Sequence, residues 1–416
     1  MVSKTVLTNG VTVVSSPVPG FRSCSIGLWI KTGSRYETES QAGLSHFIEH
    51  MLFKGTARRT AERISQEMDS VGAQIDAFTE KEHTCFYARV VEQHFDLAWD
   101  VLSDMLLHSL LDGEELDREK GVILEEIAMY EDNPEDVAFE TFHGSLWPSH
   151  PLGLPILGNR ARIASYTPDD LRDYMVTHYT ADRLVVAVAG NVEHEEIVQR
   201  VSSWNLPACE SSVDLYRGGV PATQLGTVLK YRDDEQENIC LGVPGLSAVD
   251  ERRYAMVLLD SALGGSMSCR LFQEIREKRG LAYSVGTFQN GYLDCGTFGI
   301  YAGVSPDKAA EVLGLCCQVV DDVCQRGLTA EELQRTKEYV KGTMALGLES
   351  TSALMMRLAK TESLFGRYVG AEEVGERLDA VTNDDIVQVA REVLGAGPLH
   401  LVAVGPLRKL QGVGAI

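Results

Sequence analysis

Four short stretches of this chain recur about 215 residues further on, and that repeat limits the possible folds more than any other feature. Thr167-Pro168-Asp169-Asp170 returns as Thr382-Asn383-Asp384-Asp385, and Val186-Ala187-Val188-Ala189-Gly190 as Leu401-Val402-Ala403-Val404-Gly405. Glu114-Glu115-Leu116-Asp117-Arg118 returns as Glu331-Glu332-Leu333-Gln334-Arg335, and Ile26-Gly27-Leu28 as Leu241-Gly242-Val243. The offsets are 215, 215, 217 and 215 residues. Matches in one order at nearly one offset mark duplication of a domain of about 210 residues. Domains are expected at 1–208 and 222–416, joined by a polar linker at 209–221 that carries Gly218-Gly219.

Within the first copy the pattern alternates between strand and helix. Val6-Leu7 and Val11 to Val14 flank Asn9-Gly10, a hairpin signal, and Ser25 to Ile30 reads as a third strand. Thr60 is placed to cap a helix through Ile64 and Met68 that stops at Gly72. Residues 73–90 read as two strands, 92–132 as helical, and Leu184 to Ala189 as a strand. Strands paired in hairpins and mixed with helices in this way predict an α+β fold, with an antiparallel sheet and helices on one face in each domain.

The first copy also holds Gly43-Leu44-Ser45-His46-Phe47-Ile48-Glu49-His50-Met51-Leu52-Phe53, which contains H-x-x-E-H. Leu44, Phe47, Ile48, Met51 and Leu52 recur at helical spacing, and Lys54-Gly55 supplies a last-turn cation and a stop. On a helix, His46 and His50 project one turn apart from one face, where two imidazoles can hold Zn²⁺ at about 2.0–2.1 Å each. Glu49 lies at the edge of that face, placed to take a proton from water whose pKa the metal lowers. This order is a known signature of zinc peptidases. Catalytic zinc ordinarily takes a third protein ligand. Glu119, Glu125 and Glu126 lie on a later helix; Glu119 and Glu126 share a face and Glu125 points away, but spacing alone does not choose among them. The matching stretch of the second copy, Val257 to Gly265, has no His, so only one copy can hold the metal.

Composition narrows the partners. A net charge of −22 argues against nucleic acid and against an anionic membrane surface, and would favour basic peptides. No apolar run is long enough to cross a bilayer. The N-terminal residues carry neither a secretory nor a mitochondrial leader pattern. Nine scattered cysteines without a C-x-x-C pair fit reduced thiols, and a cytoplasmic location is expected.

His46-Phe47-Ile48-Glu49-His50, followed 76 residues later by Glu126, resembles the pitrilysin and mitochondrial-processing-peptidase family of zinc endopeptidases. The resemblance implies one Zn²⁺ per chain on His46, His50 and Glu126, with Glu49 as general base and Glu119, seven residues before Glu126, as a helper. Arg276-Glu277-Lys278-Arg279-Gly280-Leu281-Ala282-Tyr283 matches the family's substrate-contacting Arg276 and Tyr283. Ala73 to Thr79 resembles the edge strand to which an extended peptide adds, through Ala77, Phe78 and Thr79, although Asp76 stands where many relatives carry Asn. Asp136 and Glu140 match acidic positions that receive a basic residue near the cut. The resemblance implies hydrolysis of extended or presequence-like peptides by a homodimer. The alternative is a catalytic or non-catalytic subunit of a heterodimeric processing complex.

Overall fold

The computed structural model describes residues 2–206 and 219–407. Residues 207–218, most of the expected linker and Cys209 with it, lie outside the described part. By contact the chain forms two compact units that do not follow its midpoint. The first takes 2–128, 154–206 and 347–369; the second takes 129–153, 219–346 and 370–407.

The first unit is built on six strands: β1 (Ser3–Val6), β2 (Thr12–Pro17), β3 (Ser23–Ile30), β4 (Gln74–Thr79), β5 (Thr84–Val91) and β6 (Leu184–Gly190). Their order across the sheet is β1-β2-β6-β3-β5-β4, which leaves β4 as an outer strand. Gly10, at φ 101°, closes the β1–β2 hairpin expected at Asn9-Gly10. The helices that supply buried apolar side chains to this core include α1 (Leu44–Leu52), α2 (Ala61–Asp69), α3 (Phe95–His108) and α4 (Gly113–Asp132). Thr60 caps α2 by accepting the Arg63 amide, as its sequence position predicts.

The opposite face of this sheet is covered as well. Met355, Leu358 and Ala359, from the helix Thr351–Phe365 of the second half of the sequence, pack on Val14, Trp29, Val185 and Ala187. Coverage on both faces explains why β6 is buried at all seven positions and reads as an unbroken apolar run.

The second unit holds β7 (Thr227–Tyr231), β8 (Glu237–Gly245), β9 (Ala282–Gly291), β10 (Gly296–Val304) and β11 (His400–Gly405), in the order β7-β11-β8-β10-β9. That order repeats β2-β6-β3-β5-β4 strand for strand, which is what a duplication requires. The helices Arg253–Leu263, Ala309–Arg326 and Asn383–Val393 share the core on one face. On the other lies α5 (Pro134–Leu146), from the first half of the sequence, with Phe142 and Leu146 against Cys240, Val402 and Val404.

The α+β class and the two sheets stand. Two details of the expected sheets are corrected. Neither sheet is wholly antiparallel, because β2 runs parallel to β6 and β7 to β11. Nor are the helices confined to one face, since each sheet receives a helix from the other half of the sequence. Among the described residues no helix is long and apolar enough to cross a membrane. Among the described residues no disulfide joins two cysteines.

Candidate active site

The helix α1 carries H-x-x-E-H on a frame fixed at several points. Its apolar positions Leu44, Phe47, Ile48, Met51 and Leu52 are at most 2% exposed, so the rotation of the helix is set by the core. Gly43 begins it at φ 90° and has no side chain to cap with. Glu37 does that work from six residues upstream: its carboxylate accepts the Gly43 and Ser45 amides at 2.8 and 2.7 Å. Burial pushes Glu37 up to about 7, against the pull of those two amides. A carboxylate there also faces the positive end of the helix dipole. Sequence reasoning did not find Glu37, because it lies outside the usual capping positions.

With α1 held this way, the His46 and His50 rings stand 4.6 Å apart between centroids. The Glu126 carboxylate, on α4, approaches both. Its Oε2 lies 3.6 Å from His46 Nε2 and 3.6 Å from His50 Nε2. Those separations exceed a hydrogen bond. They match the spacing of about 3.4 Å expected between donor atoms around a tetrahedral ion at zinc distances. One atom from each of the three residues lies within 4.8 Å of the others, a group able to hold a metal ion. Two imidazoles and a carboxylate are a donor set that suits zinc with one position left open. The residues present therefore fit the metal.

Electrostatics support the same use. Burial, together with the neighbouring His50 charge, holds His46 well below the usual histidine range, which leaves its ring neutral and its nitrogen free to donate to a metal. His50 is also penalised by burial, but Glu119 and Glu126 outweigh that and lift it to about 9. Glu119 accepts from His50 Nδ1 at 3.0 Å and pairs with Lys54 at 2.7 Å. Burial alone would raise its pKa, yet His50 and Lys54 together bring it down. A carboxylate on the outer nitrogen of a ligating His fixes which nitrogen faces the metal. Lys54, by sequence a helix-end cation, has this buried acid as its partner.

Glu49 is half-buried on α1, one residue before His50. Its carboxylate accepts the Thr79 hydroxyl at 2.5 Å, from the last residue of β4. Burial raises its pKa, moderated by Thr79, which moves a carboxyl toward the range useful for proton transfer near neutral pH.

The structure thus brings together His46, His50, Glu49, Glu119, Glu126 and Thr79. Glu125 is exposed on α4 and is not part of the group. Ala77 and Phe78 lie on β4 beside Thr79, with Ala77 turned toward the core face and Phe78 edge-on to Trp29 at 5.4 Å. The remaining named residues belong to the second unit. Arg276 sits on a helical turn, Phe272–Glu277, with its guanidinium 5.0 Å from the Tyr283 ring centre and bonded to the Tyr283 carbonyl at 2.9 Å. Tyr283 is 79% exposed. Asp136 and Glu140 lie one turn apart on α5, and Asp136 accepts from Asn133 at 2.6 Å.

Two family descriptions cover most of the chain: "Insulinase (Peptidase family M16)" matches residues 12–160 and "Peptidase M16 inactive domain" matches 165–340. The chain belongs to peptidase family M16. This M16 chain is 43% identical to an uncharacterized zinc protease of Streptomyces coelicolor, over 99% of its own length and 91% of the relative's. It is 40% identical to another of Bacillus subtilis, over 94% and 96% of the two chains. A protease from Helicobacter pylori has the same fold, at a TM-score of 0.91, 21% identity and coverage of 98% and 99%. A Pseudomonas fluorescens structure titled "peptidase M16 inactive domain" matches at 0.90, 20% identity, and 97% and 98%. The M16 chain is a metallopeptidase with zinc as its cofactor, as its resemblance implied.

Proposed function

We propose that this chain is an endopeptidase that cuts an extended peptide docked along β4, with Glu49 as the proton carrier. One observation carries the reading: Glu49, beside the three convergent donor atoms, is bonded to the last residue of an outer strand. An outer strand offers unpaired backbone groups, and an extended peptide can add to it with little regard to side chains.

In this reading His46, His50 and Glu126 are the zinc ligands and Glu119 orients His50. Zinc there supplies a Lewis acid and lowers the pKa of water. Glu49 takes a proton as the water oxygen attacks the peptide carbonyl carbon, and returns it to the amine nitrogen as the C–N bond breaks. Ala77, Phe78 and Thr79 hold the peptide. Arg276 and Tyr283, in the second unit, are the donors assigned to substrate carbonyls. Asp136 and Glu140 are the acidic pair assigned to a basic residue of the substrate, and a homodimer is the working form proposed.

The test is hydrolysis of quenched peptides of about 15–20 residues by the purified chain and by its Glu49→Gln variant, each with zinc content measured. Such peptides are long enough to span a docking strand. Zinc in both with turnover only in the unaltered chain is the expected result. Zinc in both with equal turnover would remove Glu49 from the mechanism. No turnover in either would direct the search to a partner chain.

A further inference from the structure

The free edge of β4 is presented by alternate residues. The hairpin to β5 closes with the Glu80 amide donating to the His83 carbonyl at 2.8 Å. From there Phe78, Asp76 and Gln74 face Cys85, Tyr87 and Arg89 without a register shift. In an antiparallel pair, residues that exchange both backbone bonds with the partner alternate with residues whose N–H and C=O point away. Ile75, Ala77 and Thr79 are of the second kind, so their backbone groups face off the sheet.

The Ala77 amide is not left open. It donates to Asp76 Oδ1 at 2.8 Å, while Asp76 Oδ2 accepts the Tyr87 hydroxyl at 3.3 Å. Asp76 is exposed, so nothing in the core holds it in place.

We propose that Asp76 is a specificity-determining residue: it caps the outward Ala77 amide until a peptide arrives, and then favours peptides that bring a cationic side chain beside it. The inference rests on β4 as the docking strand. A peptide carbonyl that pairs with Ala77 must displace the carboxylate, which can only accept hydrogen bonds. Left beside that carbonyl, it faces another oxygen of the same partial charge. A lysyl or arginyl group supplies the donors and the opposite charge, whereas a neutral peptide leaves the carboxylate one partner short.

Asp76→Asn keeps an acceptor for Ala77 and Tyr87 but removes the charge, so the strand is preserved. Paired quenched peptides, identical except for lysine or norleucine at one position, would be scanned across the cut with zinc-loaded full chain. The same pairs would be measured for binding to the Glu49→Gln chain by fluorescence anisotropy. At one position the unaltered chain should prefer lysine by about fivefold, the scale of one exposed charge pair. Asp76→Asn should abolish that preference while basic preferences elsewhere persist. Equal preference in both chains would overturn the role of Asp76 and leave the docking strand standing. If neither peptide of any pair binds, the docking strand fails and the inference falls with it.

Discussion

Thr79 donates its hydroxyl to the Glu49 carboxylate across 2.5 Å, and this bond joins the outer strand of the first sheet to the acid of the H-x-x-E-H helix. The helix core fixes Glu49 from behind, so Thr79 is what orients its carboxylate from the strand side. A hydrogen bond to a charged group is worth about 1.5–3 kcal/mol. Thr79→Val keeps the β-branched shape and removes the donor. Its kcat on a quenched peptide should fall at least about tenfold with zinc content unchanged. Full turnover in that variant would show that Glu49 needs no support from the strand.

Removal of Glu119 tests the metal from its outer side. The Glu119 carboxylate holds His50 Nδ1 at 3.0 Å and Lys54 at 2.7 Å, and is itself buried. Glu119→Ala should weaken zinc binding by about 10- to 100-fold, measured by competition with a chelator. Glu126→Ala removes one of the three convergent atoms and should lose zinc altogether at concentrations where Glu119→Ala still retains it.

Acid should weaken the second unit through one pair. Arg270 grips both oxygens of Glu332 at 2.9 Å and also bonds Asp322 at 3.1 Å. That guanidinium holds Glu332 down to about 2, against the opposing effect of burial. A carboxyl lowered by folding contributes stability above its ordinary pKa and loses it as pH falls through the folded value. The contribution should therefore be complete above about pH 4.5 and disappear toward about pH 2. Allowing for solvent at its edge, it amounts to about 2 kcal/mol. Urea midpoints between pH 2 and 5 should lose this part of their slope in Arg270→Ala.

Much of this site was legible because its parts are local. The apolar spacing of Leu44, Phe47, Ile48, Met51 and Leu52 fixes which way α1 turns, and the turn decides where His46 and His50 point. Thr60 and Asn9-Gly10 act through neighbours two or three residues away, so their caps and turns could be read directly. Glu37 could not be, since its partners lie six and eight residues on and are reached by a fold of the loop between. The crossing helices were illegible for a related reason. An amphipathic pattern in Thr351–Phe365 or Pro134–Leu146 states that a face will be buried, but not which half of the chain will bury it. Gly27 and Gly242 were visible as an echo of the duplication. Their purpose appears only in the fold: a Cβ on Gly27 would stand 2.3 Å from Met355 Sδ on the helix received from the other half, and one on Gly242 would meet the β10 backbone at Phe298 O, 2.5 Å away, before Phe142 Cζ of α5 at 2.9 Å.

That arrangement predicts a coupling across 328 residues of sequence between Gly27 and Met355. Met355 is fully buried and also accepts the Trp29 indole N–H at 3.4 Å. Gly27→Ala crowds the Met355 sulfur most, and the Trp29 indole nitrogen at 2.8 Å as well, and should cost about 1–3 kcal/mol, as overpacking does in a closed core. Met355→Ala opens a cavity and should cost about 2–5 kcal/mol. The methyl added by the first change occupies part of the space vacated by the second, so the double variant should be less destabilised than the sum of the two. Urea unfolding of all four chains gives the coupling energy directly, and additive losses would mean that the helix is held on the sheet without reference to Gly27.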